Sequence, residues 1–578
     1  MYVAINGKGN ARSVYIMKSY RKNDGKTSSS VYKKLGKLND LLSKFDNDLD
    51  KLMVWAKEEA QKETEINNSE NDKIVIPFNP NNRVERDVDN CFNVGYLFLQ
   101  CIIRDLKFDN ISRNITNRHK FKYSFNAILT DLIYSRILNP SSKLSSYNYA
   151  FSLLEPPKYK LEDVYRALSV LALESNYIQE ELYRNSNFVH NRNTKVLYYD
   201  CTNYYFEIEE EKDDKQYGKC KENRPNPIVG MGLFMDADGI PLAFDIYPGN
   251  QNEQLSLTPL ETRVIKDFDC DDFIYCSDSG LGSKKNKMLN NFGSRHYVIT
   301  QSLKKLKKEN KDIALNPKGY RKLGSDTPID LTTLDENDAD VFNSIYYKEI
   351  PLDSKGLSET MIVTYSLKYK NYQRRIRNRQ ISRAESMIKN ETKIKNKRNN
   401  PNSPLRFIEE ISSTDNGEVA ENKSYHINQD TIDNEAQYDG FYAVVTNLDI
   451  KTTDIIKINS RRWEIEECFR IMKTEFEARP VYLQRQDRIK AHFLTCFISL
   501  LVYRLLENKL DNKYTVENII DTLRKMNVTK LKESYGYIPS YKRTDLTDDL
   551  HKIFGFNTDY EIISRSKMRS IIKYTKEK

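Results

Sequence analysis

The segment from Thr194 to Thr300 constrains the fold most, because short β-rich runs alternate there with amphipathic stretches. The runs are KVLYYD, NPIVGMGLFMD, GIPLAFDIYPG, DFIYCSDSG and HYVIT, separated by turn residues. Helices are predicted at Leu255 to Phe268 and Ser283 to Phe292, on either side of the fourth run. Three strands, a helix, a strand, a helix and a strand predict a mixed α/β sheet with crossover connections.

This order of elements matches the ribonuclease H-like core. In that topology the first and fourth strands are neighbours, so residues at their ends come side by side. Asp200 ends KVLYYD, and Asp278 directly follows the run FIYCS. Taken singly, each aspartate is explained as a residue that caps a turn. Taken together, they predict two adjacent carboxylates at one end of the sheet.

The stretch from Asn459 to Lys473, NSRRWEIEECFRIMK, predicts a helix that follows the sheet and carries a third carboxylate. At 3.6 residues per turn, Arg462, Glu466 and Lys473 fall within about a quarter of the helix circumference. One explanation is a solvated helix in which Glu466 pairs with Arg462 and Arg470, each pair stabilising it by about 0.2 to 0.5 kcal/mol. The other is that Glu466 joins the two aspartates.

Three converging carboxylates repel each other unless cations lie between them. Hard divalent ions with oxygen ligands, chiefly Mg²⁺, suit such a site. Two such ions can support in-line displacement at a phosphodiester. Arg462 and Lys473, beside Glu466, would then hold DNA phosphates against the acids.

The glutamate helix resembles the signature helix of the IS4-type DDE transposases, in which Tyr, Arg, Glu and Lys are separated by two, three and six residues. Arg462, Glu466 and Lys473 match this spacing, and Asn459 stands where the pattern has tyrosine. Three further segments are similar to the IS1634-like branch: YYDCTNYYFEIE, GLFMDADGIPLAFDIYPGNQNEQ and YCSDSGL. The resemblance extends from the N-terminus to about Leu510.

The resemblance implies site residues, cofactors and partners. The catalytic and metal-binding residues would be Asp200, Asp278 and Glu466, with two Mg²⁺ or Mn²⁺ ions. Asn459, Arg462 and Lys473 would contact DNA. The implied activity is transposition of an insertion sequence: phosphodiester cleavage at terminal inverted repeats, then transfer of the 3′-hydroxyl into target DNA. The implied partners are these double-stranded DNAs and a second copy of the chain in a synaptic homodimer.

Two other functions stay open. A ribonuclease H-like resolvase or repair nuclease would act on branched or damaged DNA without inverted repeats. A catalytically inert DNA-binding derivative is the second alternative, which the intact acids disfavour and Asn459 leaves open.

A basic run from Lys368 to Arg398 contains about a dozen lysines and arginines and few acids. It is either a solvated charged helix or a phosphate-binding surface, since cations of this kind supply sequence-independent affinity for DNA. Arg374, Arg375 and Arg377 are its candidate DNA contacts.

Composition divides the chain into six predicted regions. They are an N-terminal β-hairpin around Asn23-Asp24-Gly25 with a helix from Leu38 to Lys62 and a linker (1–82), a helical region that binds DNA ends (83–192), the first part of the catalytic core (193–305), an insertion with the basic run (306–430), the second part of the core with the glutamate helix (431–510) and a polar C-terminal tail (511–578).

The overall composition excludes other classes of protein. The apolar run Phe493 to Tyr503 is shorter than the roughly 18 residues of a membrane-spanning helix, so it predicts a buried helix. The 8 cysteines form no C-x-x-C pair and the 6 histidines do not cluster with them, so neither a disulfide framework nor a zinc site is expected. The N-terminus lacks a signal-peptide pattern, which favours a cytoplasmic protein. A net charge of +9 fits a phosphate-bearing partner.

Overall fold

A computed structural model describes residues 1–21, 27–71, 76–354, 356–390, 402–412, 423–532 and 535–577. The chain divides into two compact units, Met1–Val88 and Asp89–Lys578. The division falls a few residues beyond the boundary predicted at residue 82.

The first unit contains a three-stranded antiparallel sheet and two helices. Their bounds are β1 Tyr2–Asn6, β2 Ser13–Arg21, β3 Thr27–Lys37, α1 Leu38–Leu42 and α2 Leu49–Asn71. β2 and β3 are the two arms of the segment predicted as a hairpin, and its Asn23-Asp24-Gly25 turn lies outside the described residues. The single helix predicted from Leu38 is interrupted, because Asp46 and Asn47 adopt positive φ angles.

The strands of the second unit are, in chain order, β4 Cys91–Asn93, β5 Val196–Tyr205, β6 Ile228–Met235, β7 Pro241–Pro248, β8 Ile274–Ser277, β9 His296–Thr300, β10 Tyr320–Lys322, β11 Pro328–Ile329, β12 Tyr346–Ser354, β13 Leu357–Tyr365, β14 Ile408–Ser412, β15 Lys423–Ile427, β16 Phe441–Thr446, β17 Asn527–Lys530 and β18 Tyr537–Pro539.

Its helices are α3 Tyr96–Asp105, α4 Phe108–His119, α5 Phe125–Leu138, α6 Lys143–Ala150, α7 Leu161–Leu173, α8 Ser175–Val189, α9 Gln254–Asp267, α10 Lys284–Leu289, α11 Lys308–Leu315, α12 Ala339–Asn343, α13 Leu367–Lys389, α14 Gln429–Ala436, α15 Thr452–Ser460, α16 Trp463–Thr474, α17 Gln486–Lys509, α18 Val516–Lys525, α19 Asp545–Phe554 and α20 Arg565–Lys576.

A large mixed sheet organises the second unit. Its ten strands follow the order β11-β10-β12-β13-β16-β9-β8-β5-β6-β7. β8 pairs in parallel with both β5 and β9, whereas the other pairs are antiparallel. The first and fourth strands of the predicted pattern, β5 and β8, are therefore neighbours. This confirms the mixed α/β class and the adjacency on which the paired aspartates depend.

Two regions differ from their predictions. Strands β10 to β13 lie within the segment predicted as an insertion, yet they extend the central sheet beyond β16. The sequence of β12 alternates polar and apolar residues, because one face of an antiparallel strand can stay in water. This weak apolar signal did not indicate that β12 belongs to the central sheet. The predicted C-terminal tail is a folded part of the unit: β17 pairs with β4, and α18 buries Ile519, Ile520 and Leu523.

Helix α17 forms the centre of the helical layer. It packs against α3, α5 and α7, and nearly its whole length from Ile489 to Leu506 is buried. The buried helix predicted at Phe493 to Tyr503 is thus confirmed. By length and composition α17 is apolar enough to cross a membrane, but 89% of its most apolar window is buried inside the protein.

Glu261 on α9 makes stability depend on pH. Its side chain is fully buried, and Asn290 Nδ2 donates a hydrogen bond to Glu261 Oε2 at 3.2 Å. Burial raises the pKa of Glu261 from 4.5 to about 7. Between these values the folded protein holds a proton that the unfolded chain releases, so the free energy of unfolding falls as pH rises.

We expect Glu261→Gln to remove this loss. Between pH 5 and pH 8, wild type should lose roughly 2 to 3 kcal/mol more stability than the variant. Urea unfolding at both pH values measures the difference. Equal losses in the two proteins would show that Glu261 is ionised in the folded state.

Candidate active site

The sequence predicted Asp200 at the end of its strand, but in the structure Asp200 lies within β5. The antiparallel ladder with β6 continues as far as the pair Tyr205 and Ile228, which extends the strand. The parallel ladder with β8 stops earlier, at the pair Tyr198 and Cys276. Asp200 is thus two residues past the last parallel pair on its strand.

Asp278 occupies the same level on the neighbouring strand, two residues past Cys276. Since alternate residues of a strand share one face and adjacent strands lie about 4.8 Å apart, Asp200 and Asp278 project from the same face as neighbours. Asp278 also caps the turn that follows, accepting hydrogen bonds from the Gly280 N–H at 2.9 Å and the Leu281 N–H at 3.2 Å. The turn-capping role and the paired arrangement therefore coexist.

The proximity of the two acids is visible in the electrostatics of Asp200. Burial and then the Asp278 charge raise the pKa of Asp200 to about 6, although Lys221, Arg462 and a backbone hydrogen bond oppose this. The hydrogen bond runs from the Cys201 N–H to Asp200 Oδ1 at 2.8 Å. The site therefore holds two carboxylates that repel each other and that cations stabilise.

Lys221 is a cation of this site that the sequence did not single out. Its Nζ donates to the carbonyl oxygen of Cys201 and lies 3.5 Å from Glu253 Oε1. Partial burial lowers the pKa of Lys221, but Asp200, Glu253, Cys201 and Asp278 outweigh burial and raise it. Lys221 belongs to the irregular segment 206–227, which has no periodicity from which a position could be predicted.

Glu466 lies on α16, which packs on the face of the sheet that carries the two aspartates. Its Oε1 is 3.0 Å from Arg462 Nη1, and its side chain is 57% exposed. The charge of Arg462 also lowers the pKa of Asp200, so its guanidinium is near both Glu466 and Asp200. Within the described part of the chain, the ligand oxygens of the three acids do not form a cluster in which all lie within 4.8 Å.

The predicted single helix from Asn459 to Lys473 is two helices. α15 ends at Ser460 and α16 begins at Trp463, with Arg461 and Arg462 between them. Asn459 therefore belongs to α15, where its Oδ1 is buried and accepts no hydrogen bond from any described residue. Arg470, the second partner predicted for Glu466, pairs instead with Glu467 at 2.7 Å.

Lys473 reaches back to β5 from α16. Its Nζ donates to Thr202 Oγ1 at 2.6 Å, and Thr202 is two residues beyond Asp200 on the same strand face. Burial and then the Lys221 charge lower the pKa of Lys473 to about 8. Lys473, Lys221 and Arg462 are thus three cations near Asp200.

A cavity of about 470 Å³ opens beside Lys221 and the turn after Asp278. Its lining includes polar and aromatic groups: Asn203, Tyr217, Lys221, Tyr247, Glu253 and Gly280. Of the charged groups discussed above, Lys221 and Glu253 line this cavity, whereas Asp200 and Asp278 do not.

The basic run forms α13 as far as Lys389, and its residues 391–398 lie outside the described part of the chain. One of its three predicted DNA contacts lies in a buried ion pair. Arg377 is 8% exposed and makes a bidentate ion pair with Asp439, with Nη1 2.7 Å from Oδ1. It joins α13 to the turn before β16, and both of its terminal nitrogens are engaged by the carboxylate. Arg374 lies on the exposed side, 3.7 Å from Glu336 Oε2, and Arg375 is exposed beside the Tyr372 ring.

Comparison with known proteins identifies the family. A family model described as "Transposase DDE domain" matches residues 206–502, which include Asp278 and Glu466 and begin just after Asp200. Among solved structures, a cryo-EM structure of the piggyBac transposase synaptic complex with hairpin DNA matches over 84% of each chain, with 8% identity and a TM-score of 0.34. No curated protein gives a significant match. This family model matches just over half of the 578 residues of the chain, and the chain therefore belongs to the transposase DDE domain family.

Proposed function

We propose that this chain is the DNA transposase of an insertion sequence, of the IS1634-like branch of the IS4 type. It cleaves phosphodiester bonds at the terminal inverted repeats and transfers the freed 3′-hydroxyl into target DNA. The observation that carries the proposal is the pairing of Asp200 with Asp278 on adjacent parallel strands, under the helix of Glu466. A ribonuclease H-like core and a synaptic homodimer are parts of the same proposal.

The residues of this site fit divalent metal ions. Asp200 has a raised pKa because it is half-buried next to a second carboxylate, and a bound cation relieves this repulsion. Carboxylate oxygens suit Mg²⁺ or Mn²⁺. We propose that Asp200, Asp278 and Glu466 hold two such ions. When bound, the ions activate the attacking oxygen and stabilise the leaving oxygen.

The cations of the chain would position DNA. Arg462, Lys473 and Lys221 lie near Asp200, and an arginine or lysine held beside an active site binds phosphate oxygens strongly. Arg462 already neutralises Glu466, so phosphate binding by Arg462 would release Glu466 for the metal ions. Asn459 completes the proposed set of DNA contacts.

The proposal is tested with purified protein, Mg²⁺ and duplexes that carry the element's own terminal repeats. We expect nicks with 3′-hydroxyl ends at the repeat boundary, and no nicks with EDTA or with Glu466→Gln. Branched duplexes without repeats serve as the comparison substrate. Preferential cleavage of those would indicate a resolvase or repair nuclease, and binding without cleavage of either substrate would indicate an inert derivative.

The exposed face of α13 is proposed to bind DNA phosphates. Arg375, Arg379 and Arg383 recur every four residues along one side of the helix and make no ion pair with any described residue. We expect the triple change to glutamine to weaken DNA binding. The slope of log affinity against log salt should fall by about 2 to 3, because each phosphate that is no longer neutralised lowers it by about 0.9.

The matched control is Lys513→Gln, which changes an exposed lysine of the C-terminal region that already pairs with Asp549. Fluorescence anisotropy at several salt concentrations measures the slopes. A triple variant with the wild-type slope would remove α13 from the DNA-binding surface.

A further inference from the structure

Two cationic side chains are buried close together in the helical layer. Arg136 on α5 is 3% exposed, and Lys143 in the first turn of α6 is 4% exposed. Burial and then the charge of Arg136 lower the pKa of Lys143 to about 7. No carboxylate of the described residues is hydrogen-bonded to either side chain. A buried charge is costly unless it is paired, so this position favours an anion.

Each of the two cations keeps a donor for which the described chain offers no acceptor. The guanidinium of Arg136 donates from Nη1 to the carbonyl oxygen of Phe476 at 2.9 Å and from Nη2 to that of Ser141 at 3.1 Å. Its Nε–H and the ammonium group of Lys143 are buried and bond to no described residue. Buried donors are normally satisfied, and an ammonium group alone offers three N–H bonds. These donors therefore indicate an acceptor at the junction of α5 and α6.

Helix α17, which packs against α5, brings a third donor to this junction. His492, Cys496 and Ser499 are four and three residues apart, so they lie on one face of the helix. The charges of Arg136 and Lys143 act on both His492 and Cys496, so this face is directed at the two cations. The Ser499 hydroxyl, one turn further along, is fully buried and bonds to no described residue.

The neighbouring groups of α17 supply no negative charge. His492 donates from Nε2 to the carbonyl oxygen of Ala478 at 3.1 Å. Burial and then the charges of Arg136 and Lys143 lower the pKa of His492, so its imidazole is neutral. Burial raises the pKa of the Cys496 thiol although both cations oppose it, so this group is not a thiolate. The positive charge of the junction is therefore not balanced by these side chains.

We propose that Arg136, Lys143 and Ser499 bind one buried monovalent anion of halide size, chiefly chloride. A small anion suits a position that is closed to solvent and presents only N–H and O–H donors. A water molecule would satisfy the donors but would not balance the charge. The ion would hold α5, α6 and α17 together. Because Arg136 also binds the carbonyl oxygen of Phe476, the ion would support the segment that follows the glutamate helix α16.

The test compares thermal unfolding of the full-length protein in sodium chloride and in sodium gluconate, without DNA. Gluconate is too large for a buried site, and equal ionic strength keeps the screening of surface charges equal. We expect the wild-type midpoint to rise by about 2 °C or more between about 5 and about 200 mM chloride, because the ion binds only the folded state. Bromide should have a similar effect.

Three variants assign this rise to the proposed site. Lys143→Met should abolish the rise without lowering the midpoint in gluconate, because it removes a buried charge that gluconate cannot balance. Ser499→Ala should reduce the rise, since one donor is lost. Lys525→Met, which changes an exposed lysine paired with Asp521, should keep the full rise.

Crystals grown in sodium bromide locate the ion directly. We expect one anomalous peak in contact with Lys143 Nζ and Arg136 Nε. Equal wild-type midpoints in chloride and gluconate, the wild-type rise in Lys143→Met, or a bromide map without this peak would each overturn the proposal and indicate water instead. Should Lys143→Met not fold, an undiminished rise in Ser499→Ala would also overturn it. No DNA is used, so the outcome is independent of the transposase proposal.

Discussion

Asp200→Asn and Asp278→Asn are each expected to lower the rate of DNA-end cleavage by about 1000-fold or more, the scale of loss when a member of a catalytic unit is removed. Each change keeps the shape of the side chain and removes one of the two adjacent charges that would hold the metal ions. DNA binding should persist, because the cations Arg462, Lys473 and Lys221 remain. Single-turnover cleavage of terminal-repeat duplexes in Mg²⁺ measures the rate.

Asp245→Asn is the matched control for this prediction. Asp245 is a half-buried carboxylate on β7 of the same sheet, outside the candidate site. We expect its rate to stay near that of wild type. If Asp200→Asn cleaved within about tenfold of wild type while still binding DNA, the assignment of Asp200 would be incorrect.

Arg192→Met is expected to lower the free energy of unfolding by about 3 to 5 kcal/mol, because it strands a buried charge. Arg192 and Asp236 are fully buried and form an ion pair. The guanidinium also donates to Ser186 Oγ at 2.8 Å and to the carbonyl oxygens of Ile240 and Pro241. It thereby joins the end of α8 to the turn between β6 and β7.

Urea unfolding measures this loss of stability. A second variant tests its cause, and a third serves as the control. Asp236→Asn added to Arg192→Met should restore part of the stability, since the carboxylate is no longer unpaired while the amide oxygen still accepts from the turn. Lys457→Met, which breaks an exposed pair with Asp454, should cost less than about 1 kcal/mol. A cost below about 1 kcal/mol for Arg192→Met would mean that water reaches the pair.

The sequence predicted correctly the order of elements between Thr194 and Thr300 and the adjacency of the strands that carry or precede Asp200 and Asp278. Both depend on local signals, because apolar runs, turn residues and helical periodicity are visible in a single chain. The position of Asp200 within its strand was wrong, since the ladder that extends β5 is formed with β6, a partner that no local pattern reveals. The same limit explains why β10 to β13 looked like an insertion.

The candidate acids and two of the three nearby cations were predictable from the sequence, but the third cation was not. Arg462 and Lys473 follow from helical spacing, even though the helix begins only at Trp463 and leaves Asn459 on α15. Lys221 lies in an irregular segment, and tertiary folding alone brings it to Asp200. Arg377 was assigned to DNA because charge in a sequence does not show burial, whereas in the fold it pairs with Asp439.

The central claim is that Asp200, Asp278 and Glu466 bind metal ions at one place. Loading the DNA-bound protein with Fe²⁺ and generating hydroxyl radicals cuts the polypeptide next to each bound ion. We predict fragments that end near all three residues, suppressed by excess Mg²⁺ and absent in Asp200→Asn. Cuts near residues 200 and 278 without a cut near residue 466, or no Mg²⁺-sensitive cut at these positions, would contradict the account.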